Sequence, residues 1–431
     1  MGILTSLRTG VSGLTAQGEA LAVIGDNIAN ANTNGFKASR AEFQDIIAKN
    51  LKGILGGNQI GRGVKIGAVN SILAQGNIDA TEKATDLAIS GDGYFVLRGS
   101  DGESFTRDGS FHFNKDGNLV TNDRQTVMGF EIDDSSGKTI NKLTEIKFPR
   151  ALIPAQQTKE INFELNLDSR IQVDPDKPFD INKPHDTSNY ATSVEIYDSQ
   201  GSRHLVNVFF NKEADSTWTY RGIVDGKEIV GGEEGKNTEI FTGRLTFTQD
   251  GKLNTEELLS SNINFAGGAQ PNQQIKIDFG DAITTDGGKG LRGTKQYGRT
   301  SDLITWSQDG YSAGTITNLS FSDEGVLSAL YSNGEAKDLF QIGLAKFENA
   351  EAMFKVGNNR FKEARDSGAP SVGRPNTAGR GKVFAKSLER STVDLANEFV
   401  GLIQNQRGFQ ANAKTITTTD ELLNEVINLK R

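Results

Sequence analysis

The sequence predicts a multidomain α+β protein, with a helical coiled-coil layer from both chain ends and two mainly antiparallel β domains nested between them. Apolar residues recur every seven positions at each end, the pattern of helices that pack on other helices. The middle has short alternating runs, such as residues 94–97 and 193–197, separated by Asp-Gly and Asn-Gly pairs that favour hairpin turns. At 431 residues, the chain exceeds one ordinary hydrophobic core.

The N-terminal helix is predicted from two interleaved rows. One row is Leu7, Leu14, Leu21 and Ile28, and the other is Leu4 and Val11, continued by Gly18 and Gly25. A glycine weakens a helix by about 1 kcal/mol relative to Ala, and this segment also contains Gly10 and Gly13. We therefore expect a helix that is marginal in isolation and is ordered by the helices that pack on it.

The C-terminal helix is predicted from a longer row of the same spacing. Its members are Leu388, Leu395, Leu402, Phe409, Ile416 and Leu423, with Phe399, Ala413 and Ile427 four residues after members of that row. These nine residues and the six apolar residues of the N-terminal rows are together called the assembly seam. The two halves differ in length, so they cannot cover each other fully. This favours packing among many copies over the alternative, an intramolecular hairpin that caps itself.

Charge and proline separate a central insert from the rest. Residues 147–285 carry 21 acidic and 14 basic residues, so they hold −7 of the net charge of −8, and they hold six of the eight prolines. The predicted organisation has four parts: a terminal helical domain (1–30 with 386–431), a linker or hinge region (31–72 with 361–385), an inner β domain (73–146 with 286–360) and an outer β domain (147–285). Conformational freedom in the hinge is expected from Gly53, Gly56, Gly57, Gly61 and Gly63.

The residues predict no enzyme active site, cofactor site or metal site. The chain has no Cys and three scattered His, which disfavours thiol chemistry and a His-rich metal site. Carboxylate pairs such as Glu256-Glu257 are expected to lack the apolar setting that raises a pKa for acid–base work. The net charge of −8 argues against nucleic-acid binding, and no apolar run approaches the ~18 residues of a spanning helix. Binding or assembly is therefore favoured.

An Asn-rich segment closely resembles the N-terminal signature of the bacterial flagellar rod and hook proteins. Its motif residues are Asn27, Asn30, Asn32, Thr33, Asn34, Gly35 and Phe36. Further segments resemble the family in the same order along the chain: 88–96, 105–111, 117–120, 341–347, 393–400 and 404–414. Together they bracket nearly the whole chain.

The resemblance implies a structural subunit rather than an enzyme. Within the family, the large central insert is typical of the hook, a flexible tubular universal joint that transmits motor torque from rod to filament. The alternatives are a distal rod subunit and, more remotely, a secreted β-rich binding module. The implied partners are further copies in a helical homopolymer, the hook cap, the distal rod, the hook–filament junction proteins and the flagellar type III export apparatus.

The resemblance also implies where the protein works. The N-terminus lacks the features of a cleaved secretory signal, and family members leave the cell through the type III apparatus without cleavage. Phe43 and Ile47 resemble the short aromatic–aliphatic export element of such substrates. The expected location is the flagellar hook, outside the cell body, or in the periplasm if the flagella are internal.

Overall fold

The computed structural model describes residues 2–46, 49–50, 59–133, 137–148, 152–174 and 178–428. Ile47 and the predicted hinge glycines Gly53, Gly56 and Gly57 lie outside the described residues. The helices in the described part are α1 (Gly2–Ala29), α2 (Pro184–Thr187) and α3 (Leu395–Asn428). Among them, none is both long and apolar enough to cross a membrane.

The strands are numbered along the chain. They are β1 (Ser39–Asp45), β2 (Lys49–Asn50), β3 (Gln59–Ile60), β4 (Val64–Ser71), β5 (Ile78–Ala80), β6 (Leu87–Ser90), β7 (Tyr94–Gly99), β8 (Gly102–Thr106), β9 (His112–Phe113), β10 (Leu119–Val120), β11 (Thr126–Ile132), β12 (Thr139–Glu145), β13 (Leu152–Ile153), β14 (Glu160–Asp168), β15 (Tyr190–Tyr197), β16 (Arg203–Ala214), β17 (Thr217–Asp225), β18 (Asn237–Phe247), β19 (Leu253–Ser261), β20 (Lys276–Asp278), β21 (Lys295–Tyr297), β22 (Asp302–Gln308), β23 (Gly314–Phe321), β24 (Val326–Tyr331), β25 (Ala336–Ile342), β26 (Leu344–Lys346), β27 (Phe354–Gly357), β28 (Arg360–Lys362), β29 (Ser371–Gly373), β30 (Lys382–Ala385) and β31 (Ser387–Glu389).

The chain divides into two compact units. Unit 1 comprises Met1–Pro149, Asn318–Ala329 and Ala336–Arg431, and unit 2 comprises Arg150–Thr317 and Leu330–Glu335. The four-part organisation predicted from the sequence stays a prediction, because these two units divide the chain more coarsely.

Unit 1 combines the two terminal helices with a large antiparallel sheet in the strand order β25-β11-β7-β8-β28-β27. Strand β7 is buried on both faces because successive side chains of a strand point to opposite sides. Phe95 and Leu97 join one hydrophobic core, whereas Tyr94 and Val96 join another. The description of residues 94–97 as an alternating run was therefore wrong: the run is apolar throughout because both faces of β7 are buried.

The N-terminal segment of unit 1 also forms a hairpin-like pair of strands against α1. Strands β1 and β4 are antiparallel, from Ser39 opposite Ser71 to Asp45 opposite Val64, and both contact α1. Strands near the C-terminus return to the N-terminal half, since β30 pairs with β6 and β31 pairs with β5. Residues far apart in sequence are therefore joined beside the helices.

Unit 2 has its own core between two sheets. Strands β15 to β19 form a five-stranded antiparallel sheet in sequence order, and β14 lies between β20 and β21 in a second sheet. Trp218, Tyr220 and Phe279 are among the fully buried side chains. Strand β14 is parallel to both β20 and β21 but antiparallel to β22.

The sequence prediction is confirmed in its coarse form: the middle of the chain is mostly β with several antiparallel sheets, and the helices of the two ends pack together. The coiled-coil geometry of those ends stays a prediction.

The environment of Glu256 differs from the sequence expectation. Its side chain is half-buried, and its Oε2 accepts a hydrogen bond from the Phe279 backbone N–H at 2.7 Å. Burial raises the pKa of Glu256 to about 7, with a further contribution from the nearby carboxylates of Asp278 and Asp286. The expectation that this carboxylate pair lacks an apolar setting was therefore wrong for Glu256, since the fold of unit 2 supplies that setting.

Glu256 should make unit 2 less stable as the pH rises. The folded chain retains a proton that the unfolded chain releases above its ordinary pKa of 4.5, so stability is lost between pH 4.5 and about 7. Solvent screens part of the effect because the side chain is only half-buried. We expect the melting temperature, followed by tryptophan fluorescence, to fall by about 2–4 °C between pH 5.5 and 8.

Glu256→Gln should flatten this pH dependence, whereas Glu257→Gln, at the exposed neighbouring position, should leave it intact. Both tryptophans of the chain, Trp218 and Trp306, lie in unit 2, so the fluorescence reports this unit. If the melting temperature fell equally with pH in both variants, the assignment of this pH dependence to Glu256 would be contradicted.

Candidate assembly surface

The two terminal helices pack antiparallel through small and polar residues. A Cβ added to Gly10 would lie 3.1 Å from Ile416 Cγ1, and one added to Gly13 would lie 2.7 Å from Asn412 Oδ1. Further along the pair, Gly408 lies against Gln17 and Gly401 against Ile24, and Asn27 donates to Glu398. The pairing face therefore includes Gly10, Gly13, Gln17, Ile24 and Asn27 on α1, and Glu398, Gly401, Gly408, Asn412 and Ile416 on α3.

Part of the predicted assembly seam is turned away from this pairing face, and part of it borders the face. Successive residues of an α-helix are about 100° apart, so residues four apart differ in direction by only about 40°. Four-residue spacing places Leu14, Leu21 and Ile28 beside Gly10, Gln17 and Ile24, and Leu402 beside Glu398, so these half-buried members border the contact. Ile416 lies in the pairing face itself. By contrast, Leu4, Val11 and Phe399 lie about 100° or more around their helix from every residue of the pairing face.

Much of the seam is exposed to solvent. The exposed fractions are Leu4 60%, Val11 49%, Leu395 44%, Phe399 51% and Ile427 62%. The other helical members are half-buried: Leu7, Leu14, Leu21, Ile28, Leu402, Phe409, Ala413, Ile416 and Leu423. Three further apolar side chains on α3, Val400, Ile403 and Leu422, are also exposed. They were not predicted, because they lie outside the seven-residue spacing. An exposed apolar surface of this extent indicates an interaction site.

Leu388 is not part of the helix. It lies half-buried in β31, opposite Asp79 of β5, and α3 begins seven residues later at Leu395. The Asp394 carboxylate accepts hydrogen bonds from the N–H groups of Ala396 and Asn397, which satisfies donors that a helix start leaves free. Spacing alone could not reveal this boundary, because Leu388 fits the seven-residue row by coincidence.

The motif residues form the joint between α1 and the β strands of unit 1. Asn27 is almost fully buried and makes two bonds with the Ser39 backbone: its Nδ2 donates to the carbonyl, and its Oδ1 accepts from the N–H, each at 2.8 Å. Asn30 donates to the Asp26 carbonyl at 3.0 Å and accepts from the Thr33 hydroxyl at 3.1 Å. These amides thus end the helix and fix the direction in which the chain leaves it.

The remaining motif residues form the turn itself. Asn34 accepts a bond from the Asn359 side chain, whereas Asn32 is exposed. Gly35 has a φ of 66°, and a Cβ there would lie 2.7 Å from the backbone of Arg107, so only glycine fits. Phe36 is half-buried, with the Lys355 ammonium 5.9 Å from its ring centroid.

A buried charge cluster next to the motif was not predicted. Lys37 Nζ lies 2.5 Å from Glu389 Oε1, and Arg107 Nη1 lies 3.4 Å from Glu389 Oε2; the side chains of Lys37, Glu389 and Arg107 are 1%, 0% and 6% exposed. Burial lowers the pKa of Lys37, and the Glu389 carboxylate opposes that shift. A lysine directly after Phe36 was the one available signal, but its partner is 352 residues away.

The predicted export element is only partly described. Phe43 lies in β1 opposite Ile66 and is 43% exposed, whereas Ile47 lies outside the described residues.

Models of flagellar protein families match four parts of the chain. Residues 7–37 match "Flagella basal body rod protein", 88–177 match "Flagellar hook protein FlgE/F/G D1 domain", 166–311 match "Flagellar basal body protein FlaE D2 domain", and 385–429 match "Flagellar basal body rod FlgEFG protein C-terminal". The matches include the motif, both helices and the central insert.

Full-length relatives carry the name flagellar hook protein FlgE. Those from Borreliella burgdorferi and Salmonella typhimurium are each 31% identical over 99% of this chain and 100% of the relative, and that from Treponema pallidum is 32% identical over 100% of both. The crystal structure of the Helicobacter pylori flagellar hook protein FlgE2 is similar in fold, with a TM-score of 0.52 and 15% identity over 72% of this chain and 100% of that one.

The pairing face can be tested with two glycines of α1. Leucine at position 13 would collide with Asn412, whereas Gly18 has nothing within 4 Å of an added Cβ. We expect Gly13→Leu to weaken helix pairing by about 1–3 kcal/mol through overpacking, and Gly18→Leu to strengthen α1 by about 1 kcal/mol. Hydrogen exchange of α1 and α3 in the monomeric full-length chain measures both effects. Similar exchange in the two variants would mean that the pairing face is wrongly assigned.

Proposed function

This chain belongs to the flagellar hook protein family, and we propose that its copies bind one another through the assembly seam. It is a structural subunit of the flagellar hook, as the names of its relatives indicate. It acts in motility by polymerising with further copies of itself. Full-length similarity to hook proteins supports the hook over the distal rod.

The exposure of large apolar side chains on the paired helices is the observation that carries the proposal. A helical hairpin that capped itself would bury its apolar rows, yet Leu4, Val11, Leu395, Phe399 and Ile427 stay about half or more exposed after α1 and α3 have paired. Fully burying one Leu or Phe side chain stabilises an association by about 1.5–3 kcal/mol. These side chains are therefore available for contacts with neighbouring copies.

An open polymer forms if the seam of one copy binds a different surface of the next. Such a heterologous contact does not close on itself and generates a helical array. In this arrangement the terminal helices, from residues 1–30 and 386–431, form the inner wall of a tube. The inner β domain (73–146 with 286–360) and the outer β domain (147–285) lie outside the wall, and the linker region (31–72 with 361–385) is the hinge.

The further partners are proposed from family resemblance. They are the hook cap, the distal rod, the hook–filament junction proteins and the type III export apparatus. We also propose export without a cleaved signal peptide, with Phe43 as part of the export element, to a position outside the cell body or in the periplasm.

Phe399 provides a direct test, because it is exposed and lies beside the pairing face rather than in it. We expect Phe399→Asp to leave the monomer folded, because the side chain is half in solvent. Burying its charge in a subunit contact costs several kcal/mol, so the concentration needed for polymerisation should rise roughly 100-fold or more. Electron microscopy of concentrated full-length protein measures this.

Gln404→Asp is the matched control. It adds the same charge to the same helix, at an exposed position about 140° around α3 from Phe399. Wild type and this control should form curved tubes at concentrations where Phe399→Asp stays monomeric. If Phe399→Asp formed normal tubes at the same concentrations as the wild type, the seam would be refuted as the contact surface between copies.

A further inference from the structure

One short C-terminal segment holds the motif turn residue by residue. Residues 35–38 each have a hydrogen-bond partner in residues 389–392. The bonds are Gly35 N–H to the Glu389 carbonyl at 2.8 Å, Thr392 N–H to the Phe36 carbonyl at 3.1 Å, Lys37 Nζ to Glu389 Oε1 at 2.5 Å, and Ala38 N–H to the Thr392 hydroxyl at 2.9 Å. The turn is thus bonded along its length to a segment from the other end of the chain.

Glu389 also balances the charge of the joint. Its carboxylate is fully buried and is within 4 Å of both buried cations, Lys37 and Arg107, and it accepts the Gly76 N–H at 2.9 Å. Arg107 lies over the Tyr94 ring, 5.1 Å from its centroid, and donates to the Gly91 carbonyl at 2.8 Å. Before residues 389–392 dock, Lys37 could be buried only beside another cation, which is strongly unfavourable.

The start of β1, directly after the turn, is also connected to the C-terminal end of the chain, through the side chain of Asn27. Asn27 holds the backbone of Ser39, the first residue of β1, and the same Asn27 amide donates to Glu398 of α3 at 3.0 Å. Lys37 and Glu389 are 352 residues apart. Contacts at such separation form only after a large loss of chain entropy, so local contacts precede them.

We propose that residues 389–392 are a clasp: the turn at 35–38 becomes ordered only when this C-terminal segment docks. Strand β1, directly after the turn, pairs with β4 over residues 39–45 and is held by these more local contacts. The clasp therefore fixes the direction in which the chain passes from α1 into β1, and it does not depend on any export role of Phe43.

The first test compares two charge-removing variants of the clasp by hydrogen exchange of the dilute full-length chain. Glu389→Gln removes the buried countercharge. Arg390→Gln is the matched control, because Arg390 pairs with Asp79 at 2.7 Å while both side chains are about half exposed. We expect Glu389→Gln to lower protection of residues 35–39 at least tenfold and to leave residues 94–97 unchanged. The control should resemble the wild type.

Two results would overturn the proposal: unchanged protection of residues 35–39 in Glu389→Gln, or an equal loss at residues 94–97, which would show a general structural role. Thr392→Val covers the case in which Glu389→Gln does not fold, because it removes only the hydroxyl that accepts the Ala38 N–H. It should expose residues 36–39 alone, and full protection there would equally refute the clasp.

The second test measures the order of folding. During refolding of the wild-type chain, pulse-labelled exchange should show residues 35–38 gaining protection together with residues 389–392 and after residues 94–97. Protection of residues 35–38 before residues 389–392 would overturn the clasp. Neither test uses polymers or export, so failure of the proposed assembly seam would leave these results interpretable.

Discussion

The close approach of α1 and α3 is the constraint on which the rest of the structure depends. Glycines at positions 10, 13, 401 and 408 let the other helix lie where a side chain would otherwise stand. The helices meet on this glycine-lined face, and Leu4, Val11 and Phe399, which lie about 100° or more around their helix from it, are exposed. One choice of residues thus fixes both the pairing within a chain and the surface left for other chains.

The joint beside the helices relies on a different kind of interaction. Asn27, Lys37 and Glu389 connect the end of α1 to strands from both halves of the chain. Buried charges add little net stability, but removing one partner is costly because the other remains desolvated. The joint is therefore stable only when Lys37, Arg107 and Glu389 are all in place.

Periodicity predicted the two helices, the turn chemistry predicted the β middle, and the motif predicted the family. Periodicity could not identify the pairing face, because Gly10, Gly13 and Asn412 carry no hydrophobic signal. It also placed Leu388 in the C-terminal helix, because a strand residue that fits the seven-residue spacing cannot be distinguished from a helix residue by spacing alone. The Lys37–Glu389 pair and the burial of Glu256 depend on long-range contacts, which local patterns do not encode.

The residues on the pairing face and on the rest of each helix determine how stable the α1–α3 pair is within one chain. Each glycine on the pairing face weakens its helix by about 1 kcal/mol relative to Ala, so the helices depend on the contacts around them. Within one chain, the seam members next to the pairing face are half-buried, whereas Leu4, Val11, Leu395, Phe399 and Ile427 stay exposed. Burying these exposed side chains requires surfaces that other copies supply. In the proposed polymer, the helical wall would therefore gain part of its stability from contacts shared among subunits.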